Sequence, residues 1–433
     1  MIMKAIKSRL IIMNFLQFAV WGSYLTSMGG YLFAKGNGDM IGWFYAMQGI
    51  VSIFMPAIMG IIADKWVPAQ RLLGLCHAIA AIFIASAGYF AGSDNIVPMF
   101  VLYSISVAFY MPTLALSNSV AYTSLEMGGY DTVKAFPPIR VFGTVGFIVA
   151  MLVCDFAGFQ ASHIQFYQCA LIGVAMSLFT LLLPHCPVSK SVGNKSLMQR
   201  LGLDAFKLFK SKQMALFFIF SMLLGVSLQI TNGFANGFIT SFKNLPEFAN
   251  TFGANHANAL ISLSQVSETL CILLIPICLK RLGIKWVMLI AMFAWVLRFG
   301  LFGLGNPGDG LWMFILSMIV YGVAFDFFNI SGSLYVNENT SGEMRSSAQG
   351  LFMIMTNGIG ATVGTLGAQA VVNRFVPAEI KNVDEVVTNG NAVAAGWSDT
   401  WLIFAGYALV VALLFWVLFK YKHNPNKMVD IKH

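Results

Sequence analysis

Residues 40–71 read MIGWFYAMQGIVSIFMPAIMGIIADKWVPAQR. Residues 40–63 carry no charge, and Asp64, Lys65 and Arg71 follow at once. An uncharged apolar run of ~20 residues makes a helix long enough to cross a bilayer's hydrocarbon core. Eleven more such runs lie around it, at roughly residues 10–33, 72–91, 97–122, 138–159, 164–183, 214–240, 257–279, 284–304, 311–336, 345–371 and 399–420. The composition fits: 58% of the 433 residues are hydrophobic, 10% are charged, and mean hydropathy is +0.75. A soluble domain carries about 25% charged residues to cover its exterior. An ordinary soluble enzyme, a disulfide scaffold and a disordered chain are thereby excluded. The runs do not alternate in polarity as barrel strands do. The expected fold class is an all-α polytopic membrane protein with twelve transmembrane helices.

The net charge of +8 does not mark a nucleic-acid binder. No basic stripe alternates with aromatics, and the cations sit between apolar runs. With the N-terminus inside, the inner segments hold 20 of the 26 Lys and Arg, and the outer connections hold Lys35, Lys243, Arg374 and Lys381. Cytoplasmic loops carry the excess of cations, so both termini are expected in the cytoplasm. Cys76, Cys154, Cys169, Cys186, Cys271 and Cys278 form no CxxC pair and read as small hydrophobes. There is no Walker loop, HExxH, GxSxG or acidic metal cluster. Neither a catalytic residue nor a metal or cofactor is expected.

The basic connection 184–213 divides the runs six and six. Residues 1–183 are expected to form an N-terminal six-helix bundle and 214–433 a C-terminal one, joined by a cytoplasmic linker with a short surface helix at Leu201–Phe209. Two internal echoes support the division: Val107-Ala108-Phe109-Tyr110 returns as Val323-Ala324-Phe325-Asp326, and Ile53-Phe54-Met55-Pro56 resembles Leu273-Leu274-Ile275-Pro276. The stretch Gly60 to Arg71, with a counterpart at Lys280 to Lys285, resembles the inner-loop motif of the major facilitator superfamily. That resemblance implies two bundles around a central cavity that opens to each side in turn.

Charge within a span is costly and therefore informative. Arg140, Glu268, Arg298 and Asp326 fall inside runs. Arg298 lies toward one end of its run, where snorkelling to the headgroups accounts for it. Arg140 is expected to open its helix just after Pro137-Pro138. His77, His163 and His256 read as interfacial. Helical spacing groups polar and aromatic side chains on four faces: Arg140, Thr144 and Phe147; Gln229 and Asn232; Gln265 and Glu268; and Tyr321, Phe325, Asp326 and Asn329. Such faces suit a mid-membrane site for an uncharged polar ligand with a planar group.

Longer strings point further. They are Phe136-Pro-Pro-Ile-Arg140 with Gly143-Thr144 and Gly146-Phe147, Phe217 to Gly225, Leu228 to Asn232, Ser264 to Thr269, Ser317 to Ser333, Ser347 to Gly350, and Trp401 to Tyr407. Over residues 10–423 the chain resembles the nucleoside:proton symporter family of the major facilitator superfamily. The resemblance implies proton-driven nucleoside import across a bacterial inner membrane. It implies binding positions at Arg140, Thr144, Phe147, Gln229, Asn232, Gln265, Glu268, Tyr321, Phe325 and Asp326; Asn329 is added from the face alone.

The expected partners are purine and pyrimidine nucleosides, protons and the lipid bilayer, with the chain acting as a monomer. Gln229, Asn232 and Gln265 would bond ribose and base, and Phe147, Tyr321 or Phe325 would pack on the base. Asp326 is the first choice of proton carrier and Glu268 the second, with Arg140 holding a carboxylate ionised until a proton arrives. The competing reading is a carrier for another uncharged solute, such as a sugar or drug. The polar outer connection 372–398, with Asn382, Asp384, Glu385, Asn389 and Asn391, is longer than the resemblance leads one to expect.

Overall fold

A computed structural model describes residues 2–93, 95–188, 203–340, 344–384 and 386–421. Among the described residues no strand is formed beyond an isolated bridge between Lys381 and Val387. The helices are α1 (Ile2–Gly22), α2 (Met28–Ala34), α3 (Ile41–Lys65), α4 (Ala69–Gly92), α5 (Ile96–Met127), α6 (Thr132–Phe156), α7 (Ile164–Phe179), α8 (Lys212–Ser241), α9 (Phe252–Asn255), α10 (Ala257–Cys271), α11 (Ile275–Leu282), α12 (Ile284–Leu304), α13 (Leu311–Asn339), α14 (Arg345–Met353), α15 (Ala361–Phe375) and α16 (Gly390–Leu418). Among the described residues eleven helical stretches are long and apolar enough to cross a membrane.

The first expected span, 10–33, is two helices. Ser23–Ser27 forms a turn between α1 and α2, in a stretch rich in Ser, Thr and Gly whose side chains compete for the backbone. Ser23 Oγ donates back to Ala19 O at 2.8 Å. The expected span 257–279 is also interrupted, by a 3-10 turn at Ile272–Leu274. Pro276 follows and has no N–H to offer the carbonyl four residues back. In the eleventh span a π-helical segment, Ile354–Gly360, joins α14 to α15.

Other helices outrun their expected bounds. α6 begins at Thr132 and runs through Pro137 and Pro138, so Arg140 stands in its third turn and does not open it. Proline is tolerated inside membrane helices because neighbouring groups satisfy the freed carbonyls. α16 starts at Gly390 because Val393, Trp397 and Trp401, all buried, continue one helical stripe. The connection expected at 372–398 therefore shortens to 376–389, where Asn389 Nδ2 donates to Ala378 O at 2.8 Å and Asn382 Oδ1 accepts from the backbone of Asp384 and Val386. Glu385 lies outside the described residues. So do 189–202 of the expected linker; Leu203–Lys210 forms a 3-10 helix where the surface helix was placed, and Phe209 packs 5.5 Å from Phe218.

The chain packs as two compact units. The first holds residues 2–25 and 47–203 of those described. Its main pairings are α4 with α5 and α7, and α1 with α6. Leu10, Met13, Leu73, Cys76, Val120, Leu125 and Met176 form a core there. α1 and α6 meet almost backbone to backbone: a side chain at Gly146 would strike the Phe15 carbonyl, and one at Gly22 the Phe147 carbonyl. Small residues allow that approach in membranes.

The second unit holds residues 26–46 and 204–421 of those described. α12 packs on α13 and α16, α10 on α13, and α8 on α2, α15 and the π segment. Its core is aromatic: the Phe238 ring lies within 5.9 Å of Phe302, Phe314, Trp397 and Trp401. Gly283, at φ +79°, makes the tight turn between α11 and α12, a conformation glycine adopts without steric penalty. None of the six cysteines forms a disulfide among the described residues.

Candidate functional site

In the first unit Arg140, Thr144 and Phe147 follow one another along α6 at i, i+4 and i+7, as the spacing indicates. The Arg140 guanidinium lies 3.8 Å from the centre of the Phe18 ring on α1. It fits because Gly143 has no side chain: a Cβ there would come within 2.6 Å of Arg140 Nη1 and of Phe18. Phe147 is buried, with its ring edge-on to Trp21 at 6.4 Å. Trp21 in turn meets Tyr110 at 6.0 Å.

Tyr110 belongs to a buried polar chain that the sequence reading missed. Its hydroxyl donates to Gln17 O at 2.9 Å. Gln17 Nε2 donates to Thr113 Oγ1 at 2.7 Å, and Thr113 Oγ1 donates to Tyr110 O at 2.5 Å. His77 Nε2 stands 2.8 Å from Gln17 Oε1. An amide oxygen only accepts, so His77 donates from Nε2. His77 and Gln17 are both fully buried, so His77 is not an interfacial residue. The members come from α1, α4 and α5, 60 to 96 residues apart, and helical spacing could not join them.

In the second unit, the α8 pair is bonded to itself: Asn232 Nδ2 donates to Gln229 Oε1 at 2.9 Å. Tyr321 and Phe325 on α13 stack 5.7 Å apart at an interplanar angle of 4°. The Tyr321 ring centre lies 4.7 Å from the Arg298 guanidinium and meets Trp295 edge-on at 5.9 Å. Asp326 is 6% exposed, whereas Gln265 and Glu268 are half-buried. α10 can approach α13 because Gly322 faces the Ser267 backbone, and Ser267 Oγ donates to Ile319 O. Thus Gln265, Glu268, Tyr321, Phe325 and Asp326 are gathered on two packed helices.

Asn329 lies a turn further along α13. With Phe325 it lines a small open niche whose walls also include Leu228, Trp295, Thr356 and Asn357. Thr356 and Asn357 belong to the π segment, a helical form that recurs at functional sites. The sequence reading named neither, nor Trp295.

Arg298 is where expectation and structure part most clearly. It does not snorkel: only 2% of it is exposed. Its Nη1 donates to Ser317 O at 2.6 Å and stands 3.4 Å from Ser264 Oγ. The guanidinium lies 4.7 Å from the Tyr321 ring centre and 5.1 Å from that of Phe302. Its helix, α12, is walled by α13 and α16, so this face points into protein and not into lipid.

The family model described as nucleoside H+ symporter matches residues 3–424. Nucleoside permease NupG of Escherichia coli (strain K12) is 48% identical over 421 residues, 96% of this chain and 97% of that protein. Xanthosine permease of the same organism is 46% identical over 432 residues, 99% of each chain. A crystal structure of nucleoside transporter NupG carrying a point substitution superposes with a TM-score of 0.89 at 47% identity, covering 96% of this chain and all of that one. That match, with the helical count, gives the chain the major facilitator fold. A family model spanning nearly every described residue, relatives close to half identical along their whole length, and the shared fold agree: this multi-pass membrane chain belongs to the nucleoside H+ symporter family.

Proposed function

We propose that the chain imports nucleosides across a bacterial inner membrane, driven by protons moving down their gradient, by alternating access. It is a transporter and not an enzyme, as its family indicates. The observation that carries the reading is the α10–α13 face: an aromatic pair, an amide and two carboxylates gathered within one unit. A nucleoside offers a planar base and ribose hydroxyls but no charge. Aromatic rings supply the first kind of contact and amides the second. A protein charge buried beside them serves proton coupling better than ligand charge.

We assign the roles as follows. Tyr321, Phe325 and Phe147 are the rings that pack on the base. Gln229, Asn232, Gln265, Thr144 and Asn329 bond hydroxyls and base edges. Asp326 carries the proton, being the more buried carboxylate, and Glu268 is the alternative carrier. Arg140 favours the ionised form of a carboxylate it approaches. Protonation then shifts the balance between outward- and inward-open states. The relatives named for nucleosides and xanthosine support this substrate class over sugars and drugs. The chain acts as a monomer, and the cation excess on one side of the loops supports cytoplasmic termini.

The test is uptake into proteoliposomes of the full chain. Labelled uridine and adenosine should accumulate when the outside is acidic, and an uncoupler should abolish the accumulation. Uridine should also raise the thermal midpoint, where a disaccharide does not. No flux of any nucleoside at any pH gradient would overturn the reading.

A further inference from the structure

Asn357 stands well inside the apolar helical stretch Ser347–Phe375, on the π segment Ile354–Gly360. A carboxamide there is costly unless it meets protein, water or a ligand. Among the described residues Asn357 Nδ2 reaches only the Met353 sulfur, a weak acceptor, at 3.7 Å, and the Asn329 amide has no hydrogen-bond partner. Both line the small open niche beside Phe325. Trp295, 1% exposed, borders the same niche, and its indole N–H has no partner among the described residues. The Thr356 hydroxyl on that wall is already engaged: it donates to Phe352 O at 2.9 Å within its own helix. The two amides and the indole N–H are the side-chain groups of the niche left for a ligand.

The niche is built on fixed elements of the second unit. Its π segment lies almost backbone to backbone on α8: a side chain at Gly225 would strike the Thr356 carbonyl, and one at Gly360 the Met222 carbonyl. Asn329 follows Phe325 by four residues on α13, which sets the two side chains about 5–6 Å apart on one face. The half-buried Phe325 ring and the amides therefore border one small space. Leu228 and Trp295 give that space apolar and aromatic walls, which suit a planar group.

From this geometry we infer that Asn357, with Asn329, reads the edge of the nucleobase, and that Asn357 is a specificity-determining residue in direct contact with the base. The inference rests on the reading given under Proposed function and deepens it, since Asn357 has no role there. A base packed on Phe325 turns its edge toward the two amides. A carboxamide carries a donor and an acceptor side by side, and a base edge presents the complement. For uridine, the Asn357 oxygen accepts from N3–H while its N–H donates to O4. Cytosine and adenine present an amino donor beside a ring-nitrogen acceptor, the reverse order, and the amide meets it by turning over. One niche thereby accepts both pyrimidine and purine nucleosides, where a residue that only donates or only accepts would favour one edge.

The experiment measures competition against labelled-uridine uptake in proteoliposomes of the unchanged full chain, Asn357→Leu and Asn357→Ala. The competitors are uridine, its analogue with a pyrimidin-2-one base, which lacks both N3–H and O4, and 2′-deoxyuridine. Uridine counterflow at saturating concentration shows that each variant is folded, and the smaller alanine serves if leucine disturbs the π segment. In the unchanged chain the pyrimidin-2-one analogue should compete roughly fivefold or more weakly than uridine. In the variants uridine itself should weaken, and the gap to the analogue should close to within about twofold, because two changes at one contact are not additive. Loss of the 2′-hydroxyl should cost the same in all three proteins. An analogue that competes as well as uridine in the unchanged chain overturns the inference, as does a gap of undiminished size in the variants. A 2′-hydroxyl cost that shrinks in place of that gap also overturns it, by moving Asn357 to the ribose. If the unchanged chain takes up no uridine, the reading under Proposed function fails and this inference with it; if it takes up uridine and the gap persists, only the role of Asn357 fails.

Discussion

Tyr321 and Phe325 lie almost parallel, 5.7 Å between ring centres. They are four residues apart on α13, and the helix alone brings them to one face. Tyr321 is held on two further sides, by the Arg298 guanidinium and edge-on by Trp295 at 5.9 Å. Phe325 is only half-buried and stands at the rim of the niche that Asn329 and Asn357 line. Tyr321 is therefore the fixed ring of the pair and Phe325 the ring open to a ligand.

Phe325→Ala should accordingly weaken nucleoside binding more than it weakens the fold. Losing one stacking surface for a base costs about 1–3 kcal/mol in nucleic-acid-binding proteins, so the KM for uridine should rise roughly fivefold or more. The thermal midpoint without ligand should move little. Initial-rate uptake and a melting curve on the same preparation separate the two. A lowered midpoint with unchanged KM would place Phe325 in the packing and not in the site.

Asp326 and Glu268 differ in burial, and the roles proposed for them follow. Asp326→Asn should abolish accumulation against a gradient while leaving labelled-uridine counterflow, because a carboxamide mimics the protonated acid and cannot release the proton. Glu268→Gln should keep accumulation with a raised KM. Reversed outcomes would exchange the two roles. Loss of counterflow in Asp326→Asn would assign that side chain to the ligand.

The α13 face was legible in the sequence because its members sit on one helix, where spacing decides the geometry. The same holds for Arg140, Thr144 and Phe147 on α6 and for the Gln229–Asn232 pair on α8, which the structure finds bonded. Arg298 was misjudged for a physical reason. The run 284–304 is apolar all round, so periodicity gives no sign of which face meets protein and which meets lipid. The Gln17–His77–Thr113 chain was invisible because it joins three helices. The break after Gly22 and the passage of α6 through Pro137-Pro138 were missed because hydropathy reports burial in lipid and not local hydrogen bonding.

That hidden chain makes its own prediction. His77→Phe preserves volume and aromaticity but removes the donor to Gln17 Oε1, which is enclosed in the first unit. A buried acceptor left unsatisfied costs about 1–3 kcal/mol. The variant should melt several degrees below the unchanged chain. The double change His77→Phe with Gln17→Leu removes both partners of this bond and should recover part of the loss; the recovery is partial because Thr113 Oγ1 then loses the donor it had in Gln17 Nε2, while it still donates to Tyr110 O. Equal midpoints for the single variant and the unchanged chain would show that the bond contributes nothing.

A last expectation concerns the shortened connection. Asn244 Nδ2 donates to Glu379 Oε1 at 2.6 Å, tying the segment after α15 to the end of α8. Burial nonetheless pushes the Glu379 carboxyl above its ordinary value, outweighing the Asn244 bond and the Lys381 charge. A carboxyl raised in the folded state binds its proton more tightly folded than unfolded. Its contribution to stability is complete below the unfolded value, about 4.3, and is lost as pH rises through the folded value. Glu379→Gln keeps an oxygen for Asn244 and removes that titration. Between about pH 4 and pH 7 the unchanged chain should lose more of its thermal midpoint than the variant does. Near neutrality the variant should be at least as stable. Melting curves over that range decide the matter: parallel profiles for the two proteins would mean that the burial of Glu379 carries no cost, and that the tether to Asn244 holds equally well with the carboxyl charged.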